Sequence, residues 1–346
     1  MKRLGYLFEK VCDFESLYRA FLNARKRKSD DNSDVINFEL NLGSNLINLK
    51  RQLESKTYKP LPYRIFKKYE PKKRLIRAPH FRDRIVHHSV CSNALIPLFE
   101  KHFIFHTFAS RKDKGQHIAL DLLKKHMQIV WKENKDGYIL KCDIRKYFDN
   151  IRHDILKQKV RRLIKDKDLL WLVDVIINSI PGVKGISIGN LTSQWLANYY
   201  LSEMDHIIKE KLQIRNYIRY MDDFTLIHKN KSYLNYCRQY LKKYLATIGL
   251  EFNEKTQLFP LKNGVDFLGY HTYITETGKA IRILRRSSKK RIKRKLRHFE
   301  QKYHEGDMDY KKLQLCVNSW IGHAKHGNTY NLRQKIFKKY KFIKKI

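Results

Sequence analysis

Asp222 and Asp223 lie side by side in the stretch Tyr217–Ile227, flanked by two short runs of β-branched and aromatic residues. That pattern predicts a β-hairpin whose turn carries the acidic pair. Adjacent carboxylates on a turn leave two readings open. Either the turn is simply solvated and happens to be acidic, or the pair holds a divalent cation that removes its mutual repulsion. The rest of the chain decides between them by supplying, or failing to supply, a third carboxylate, a phosphate grip and a track for a polyanion.

The charge balance favours the second reading. Lys and Arg number 73 against 34 Asp and Glu, a formal net charge of +39 distributed along the whole sequence rather than in one tail. Any single basic run is an ordinary solvated face, but an excess of this size implies a polyanionic partner, and 12% aromatic residues offer faces on which bases can stack. The five cysteines, Cys12, Cys91, Cys142, Cys237 and Cys316, are odd in number and far apart. They predict reduced, packed thiols of a cytoplasmic protein rather than a disulfide framework or a zinc site. A secretory signal and a long uncharged apolar run are both missing from the sequence, so no membrane span is expected.

Taken in order, the chain opens with two helical patterns, Phe14, Leu17, Tyr18 and Phe21, then Phe38, Leu42, Leu46, Leu49 and Leu53, separated by a charged linker from Arg25 to Asp34. Strands are predicted at Tyr63–Phe66 and Leu75–Pro79 around a cationic turn containing Pro71. A helix follows from Arg82, with Val86, Val90 and Ala94 on one side, and ends near Pro97. Lys73, Arg74 and Arg82 then form either a clamp on an incoming triphosphate or a solvated basic face. Tyr138–Cys142 reads as a buried strand with Asp143 at its end, where a carboxylate can face a cleft. Gly189 allows close backbone approach to a ligand, and Thr192 or Ser193 is expected to cap the next helix. Arg282 to Arg297 is densely basic, crossed by an apolar stripe of Ile292, Leu296, Phe299 and Tyr303, which predicts a helix with a core face and a phosphate-facing side.

Tyr220-Met221-Asp222-Asp223 resembles the catalytic box of reverse transcriptases, and Asp143 to Asn150 resembles the family's first metal-binding motif. Ile188-Gly189 and Ser193-Gln194 stand where most reverse transcriptases have Gln-Gly and Ser-Pro. With Phe81–His88, Arg111–Gly115, Asp266–Tyr270 and Gly322–His326, this departure resembles the reverse transcriptases of diversity-generating retroelements, from about Tyr58 to the C-terminus. The resemblance implies an α+β right-hand polymerase: an N-terminal helical extension (1–57), fingers (58–137), a palm of antiparallel sheet and helices (138–270, with a helical segment at 155–184) and a helical thumb (271–346). Asp143, Asp222 and Asp223 are its expected catalytic residues, and with Ile144 they are expected to hold two Mg²⁺ ions.

Deoxynucleotide binding is assigned by the same resemblance to Lys73, Arg74, Arg82, Phe148 as the steric gate, Ile188, Gly189, Gln194 and Lys255. Lys255 reads equally as a solvated loop lysine. Phe267, Leu268, Gly269 and Tyr270 match the primer grip. Arg285, Arg286, Lys289, Lys290, Arg291 and Arg294 are expected on the nucleic acid. His323 and His326 have no Cys or Asp partners beside them in sequence, so structural or duplex-contacting roles are expected rather than zinc. The expected activity is RNA-directed DNA polymerisation on a retroelement template RNA, error-prone opposite adenine, in the cytoplasm of a bacterial host. Expected partners are the template RNA, the RNA/DNA duplex, deoxynucleotides and a basic helical accessory variability protein, with target cleavage supplied from elsewhere. A retron or phage-defence reverse transcriptase is the nearest alternative, and a non-catalytic RNA-binding protein with a polymerase-like fold is the alternative of another class.

Overall fold

A computed structural model describes residues 6–26, 32–69 and 74–340. Lys73 and Pro71, at the expected basic tip, lie outside the described residues. The chain divides into two compact units, the first made of Met1–Arg111, Asp143–Gln213 and Gln239–Lys255, the second of Lys112–Cys142, Ile214–Arg238 and Thr256–Ile346.

The first unit is mostly helical. Helix Phe14–Arg25 starts at Asp13, whose carboxylate accepts from the Ser16 backbone N–H, the usual way of satisfying an orphan donor at a helix N-terminus. The second helical pattern resolves into two helices, Ser33–Leu40 and Leu42–Glu54, broken at Asn41. Phe21, Phe38 and Phe81 meet as edge-on and stacked rings at 5.7–6.3 Å, and Leu17, Leu46, Leu49 and Leu53 are fully buried. An antiparallel hairpin of β1 (Arg64–Lys68) and β2 (Arg74–Ala78) follows, as expected. The helix Phe81–Val90 does not stop near Pro97: it passes through a π turn, Cys91–Leu95, into Ile96–Glu100. Pro97 sits at the second position of that last helix, directly after the π turn, so the backbone N–H it lacks falls where the hydrogen-bond ladder is already irregular.

The second unit is built on an antiparallel sheet in the order β4-β5-β3-β6, whose strands are β3 (Tyr138–Cys142), β4 (Asn216–Tyr220), β5 (Asp223–His228) and β6 (Gln257–Pro260). A second antiparallel sheet holds β7 (Val265–Phe267), β8 (Tyr270–Ile274) and β9 (Ala280–Leu284). Helix Gln116–Asn134 packs on β4 and β5 and also on β8 and β9. The reason is its apolar stripe of Ala119, Leu120, Leu123, Met127 and Val130, all buried. Helices Arg286–His304, Tyr310–Lys325 and Tyr330–Lys339 close the chain around Ile292, Leu296, Ile336 and Tyr340, with Trp320 packed against them. The stripe read in the basic segment is therefore a core face. The fold class expected, α+β with antiparallel sheet and a helical C-terminal bundle, is the one observed.

Candidate active site

The acidic pair sits on a hairpin turn, as the flanking runs predicted. Tyr220 pairs with Asp223, leaving Met221 and Asp222 as the two turn residues. Met221 has φ of +60°, a left-handed conformation uncommon for a residue with a side chain and found most often at functional turns. Beneath it lies Arg219, fully buried in β4, whose guanidinium donates to the Met221 carbonyl at 3.0 Å. A buried arginine costs several kcal/mol unless its donors are satisfied, so the turn and the arginine hold each other in place. Tyr220 is half-buried, and burial raises the pKa of its hydroxyl.

β3 is the neighbour of β5 on its other side, in a register that sets Cys142 opposite Phe224 and Lys141 opposite Thr225. Asp223 is the residue before Phe224, and Asp143 is the residue after Cys142. Side chains alternate across a sheet, so Lys141, Thr225 and Asp223 project from one face. The Lys141 ammonium meets the Asp223 carboxylate on that face and lies 4.7 Å from the centre of the Phe267 ring.

Asp143 itself belongs to the first unit. Its carbonyl accepts from the Asn253 N–H at 2.8 Å, Ile144 bridges to Phe252, and the Arg145 N–H donates to the Glu251 carbonyl at 3.0 Å. Ile144 has a buried apolar side chain, which leaves its backbone carbonyl as the only atom it can offer a cation. Phe148 is half-buried with its ring edge-on to Tyr147 at 5.7 Å, and its carbonyl accepts from Ile186.

Around Gly189 the polypeptide is held against β2. Arg77 N–H donates to the Ile188 carbonyl at 3.2 Å and Ser187 Oγ donates to the Arg77 carbonyl at 2.8 Å. The helix that follows, Leu191–Tyr200, does not use Thr192 or Ser193 as its cap. Asn190 stands at the N-cap without a side-chain cap bond. Thr192 instead pairs through its hydroxyl with His87 Nδ1 at 2.8 Å, and Ser193 is buried inside the helix. Both hydroxyls lie too far along the helix to cap it. Gln194 accepts from Ser110 at 3.0 Å.

Of the expected triphosphate clamp, Arg74 is exposed at the start of β2 and Arg82 is already engaged. Arg82 donates to the Lys59 carbonyl at 2.6 Å and to Asp83, and lies 5.4 Å from the Tyr58 ring centre. Asp83, 1% exposed, also accepts from Tyr58 and the Leu61 N–H, both at 2.9 Å. This network is a buttress at the base of the hairpin that sequence reasoning missed. Lys255 is an exposed loop residue.

Phe267 to Tyr270, matched above to the primer grip, form a hairpin with Leu268 and Gly269 as its turn, both at positive φ. Tyr270 is anchored by a 2.6 Å bond from its hydroxyl to the His323 carbonyl. His326 stacks on His117 with ring centres 3.4 Å apart, and burial and the neighbouring imidazole lower the His323 pKa. Both histidines are accounted for by packing. Arg285, Arg286, Lys290 and Arg294 are exposed, Lys289 and Arg291 half-exposed, all in or directly before helix Arg286–His304. Arg282, by contrast, is nine-tenths buried and donates to Asp121 at 2.5 Å. The cysteines are free, four of them buried.

Among the described residues no group of three or more His, Cys, Asp or Glu is gathered to hold a metal ion. Fewer than three suffice for Mg²⁺, which keeps several waters and takes one or two carboxylates together with substrate phosphates. The hard, partly exposed carboxylates of Asp143 and Asp222 have the right donor chemistry for it. Lys141 and Arg219 were both missed as site residues. The available signal was a lone cation inside an otherwise apolar strand, which a buried sheet tolerates only when the charge is paired.

Adjacent carboxylates at a hairpin turn of an antiparallel sheet, in a chain of net charge +39, fit the class of enzymes that polymerise nucleotides. A family model described as reverse transcriptase (RNA-dependent DNA polymerase) matches residues 65–272, more than half of the sequence, and the chain belongs to that family. Protein YkfC of Escherichia coli K12 is 27% identical over 267 residues, covering 64% of this chain and 69% of that protein. The retron Ec48 reverse transcriptase of Escherichia coli is 24% identical over 214 residues, 60% of this chain and 49% of that protein. Two solved telomerase structures match at 14% identity. One is apo telomerase from Candida tropicalis truncated from its C-terminal domain (TM-score 0.47, 68% of this chain and 59% of that one). The other is telomerase from Candida albicans with the TWJ fragment of telomeric RNA (TM-score 0.48, 70% and 49%). The chain thus spans about half of the retron enzyme. No helix among the described residues is long and apolar enough to cross a membrane.

Proposed function

We propose that this reverse transcriptase copies a retroelement template RNA into DNA with Asp143, Asp222 and Asp223 as its acidic centre and Mg²⁺ as its cofactor. The observation that carries the reading is the β4–β5 turn: Asp222 stands at its tip, and the neighbouring strand β3 runs directly into Asp143. Mg²⁺ bound there would activate the primer 3′-hydroxyl and neutralise the triphosphate. The chain's own part is positioning. Arg219 fixes the turn, Phe148 would lie under the incoming sugar and exclude a 2′-hydroxyl, and the Phe267–Tyr270 hairpin would seat the primer end. Arg74, with Lys73 beside it in sequence, would receive the triphosphate, while the exposed cations of helix Arg286–His304 would track the duplex backbone.

Ile188-Gly189 and Ser193-Gln194 support a diversity-generating retroelement as the source of that template, and in this reading errors would fall opposite adenine, a small basic accessory protein would assist, and the setting would be the bacterial cytoplasm. The retron reading is supported by the Ec48 relative. Asp222→Asn is expected to abolish primer extension on a primed RNA template while leaving RNA affinity within about twofold, because little of the binding free energy passes through one turn residue. Robust synthesis by that variant would sink the assignment. Sequencing the cDNA made from the RNA encoded beside the gene separates the two retroelements: substitutions concentrated at template adenines support the diversity-generating reading, and a uniform low error rate supports the retron.

A further inference from the structure

We infer that His323 is a positioning residue for the primer end: its ring and its carbonyl clasp Tyr270 and so hold the Leu268–Gly269 turn where the primer 3′-hydroxyl would be seated. This role rests on the primer-end reading of the Phe267–Tyr270 hairpin proposed above and names the side chain that fixes it.

Tyr270 opens β8 directly after the turn and is fully buried. Its hydroxyl stands 2.6 Å from the His323 carbonyl oxygen and 3.0 Å from His323 Nδ1. A phenol has one proton to donate. The shorter bond assigns that proton to the carbonyl, so the second contact needs a proton on Nδ1, donated to the tyrosine oxygen. Two bonds of opposite direction therefore join the pair, with ring centres 4.8 Å apart. The same imidazole lies against the turn: a Cβ built on Gly269 would stand 3.7 Å from His323 Cε1 and 3.8 Å from Nε2. Leu268 has φ of +47° and Gly269 φ of +91°, and a left-handed leucine persists only where its surroundings hold it.

His323 is fixed in its turn by the segment around it. It lies in the last turn of helix Tyr310–Lys325, and the chain leaving that helix is bound to β9. Asn328 N–H donates to the Arg282 carbonyl at 2.6 Å, and a Cβ on Gly327 would stand 3.2 Å from the same carbonyl oxygen and 3.5 Å from Tyr270 Cδ1. Helix end, clasp and turn all belong to the second unit. The hairpin is thus held from the helical side at a residue adjoining its turn. Misplacing a reacting atom by about 1 Å can lower a rate on the order of 100-fold, so a side chain that sets this turn bears on the rate of insertion more than on the affinity for the duplex.

The test is single-nucleotide insertion by the full chain on a primed RNA template, with the active fraction measured from the burst amplitude. His323→Leu keeps the packing and loses the donor, and Tyr270→Phe loses both bonds. Each should slow insertion at saturating duplex and nucleotide by about tenfold, with nucleotide KM and duplex Kd within about twofold. His323→Asn, whose amide nitrogen can stand in for Nδ1, should recover to within about twofold of wild type. A purely structural role would lower the active fraction and leave the rate per active molecule unchanged, which overturns the inference, as does His323→Asn being as slow as His323→Leu. Hydrogen exchange of the peptide spanning Leu268–Tyr270 reads the clasp without catalysis. It should quicken about tenfold in His323→Leu and not in His323→Asn, and a wild-type rate in His323→Leu overturns the inference whatever the insertion assay gives. Primer extension surviving in Asp222→Asn sinks the polymerase reading instead, and hydrogen exchange then still decides whether His323 holds the turn.

Discussion

In the proposed reading, Ile188 is where a single side chain bears most directly on what the enzyme makes. It is half-buried, its carbonyl is fixed by Arg77, and it stands where most of the family carries glutamine. In the proposed reading its apolar side chain would offer no hydrogen bond to the nascent pair, and geometric checking of the incoming base would loosen. Ile188→Gln is expected to lower misincorporation opposite template adenine several-fold with correct insertion nearly unchanged, measured by sequencing cDNA from the same RNA. An unchanged error spectrum removes Ile188 from the explanation. His87 bears on stability through its burial. Burial, then the charges of His88 and Arg84, push its pKa down from 6.5 to about 3. The unfolded chain therefore binds a proton between those values that the folded chain does not. Stability is untouched above pH 6.5 and falls as pH drops toward 3, by about 2 kcal/mol at pH 5. His87→Gln should flatten this acid slope in urea unfolding carried out at pH 7 and pH 5.

At the scale of elements, the segment Ile186–Asn190 and strand β2 act as one piece. Gly189 has φ of +137°, and a Cβ built there would stand 2.9 Å from the Arg77 carbonyl oxygen, which is backbone and cannot swing away. Gly189→Ala is expected to cost about 1–3 kcal/mol through strain and displacement from β2. Thermal unfolding would record that cost, and a rise in nucleotide KM would show that the displaced segment borders the nucleotide. Much at this scale was legible beforehand. The β4–β5 hairpin and the strand ending at Asp143 follow from β-branched and apolar runs and turn residues, and the Phe267–Tyr270 hairpin from the resemblance to a primer grip. The helix cap was not, because Thr192 and Ser193 are good cap residues by type. Whether they cap depends on where the helix begins, and here His87, 105 positions earlier in the chain, takes the Thr192 hydroxyl.

For the molecule as a whole, the net charge of +39 is a statement about affinity and its salt dependence rather than about fold. Helix Arg286–His304 separates its roles cleanly, with Ile292, Leu296 and Phe299 buried and most of its cations exposed. Neutralising Arg286, Lys290 and Arg294 together to Gln should reduce the slope of log affinity against log salt for an RNA/DNA duplex, by about 0.7–0.9 for each phosphate that no longer meets a cation. The expected thermal stability is nearly unchanged, since no core side chain is touched. A full loss of affinity with an unaltered slope would mean that this face does not meet phosphate.

The sequence by itself determined the local elements and the chemical inventory: an acidic pair on a turn, an aspartate ending a buried strand, an apolar stripe through a basic helix. Those are consequences of periodicity and turn preference, which act over a few residues. Tertiary structure decided which charges are spoken for. Lys141 meets Asp223, Arg82 meets Asp83, Arg219 supports Met221 and Arg282 meets Asp121, and of these four cations sequence reading had set Arg82 on phosphate and had counted Arg282 only as the start of a basic cluster. The physical reason is that a charge enters a low-dielectric interior only with its partner beside it. For Lys141 and Arg282 that partner is brought by a pairing register or a helix packed on a sheet, across 82 and 161 positions of the chain, which no local pattern encodes.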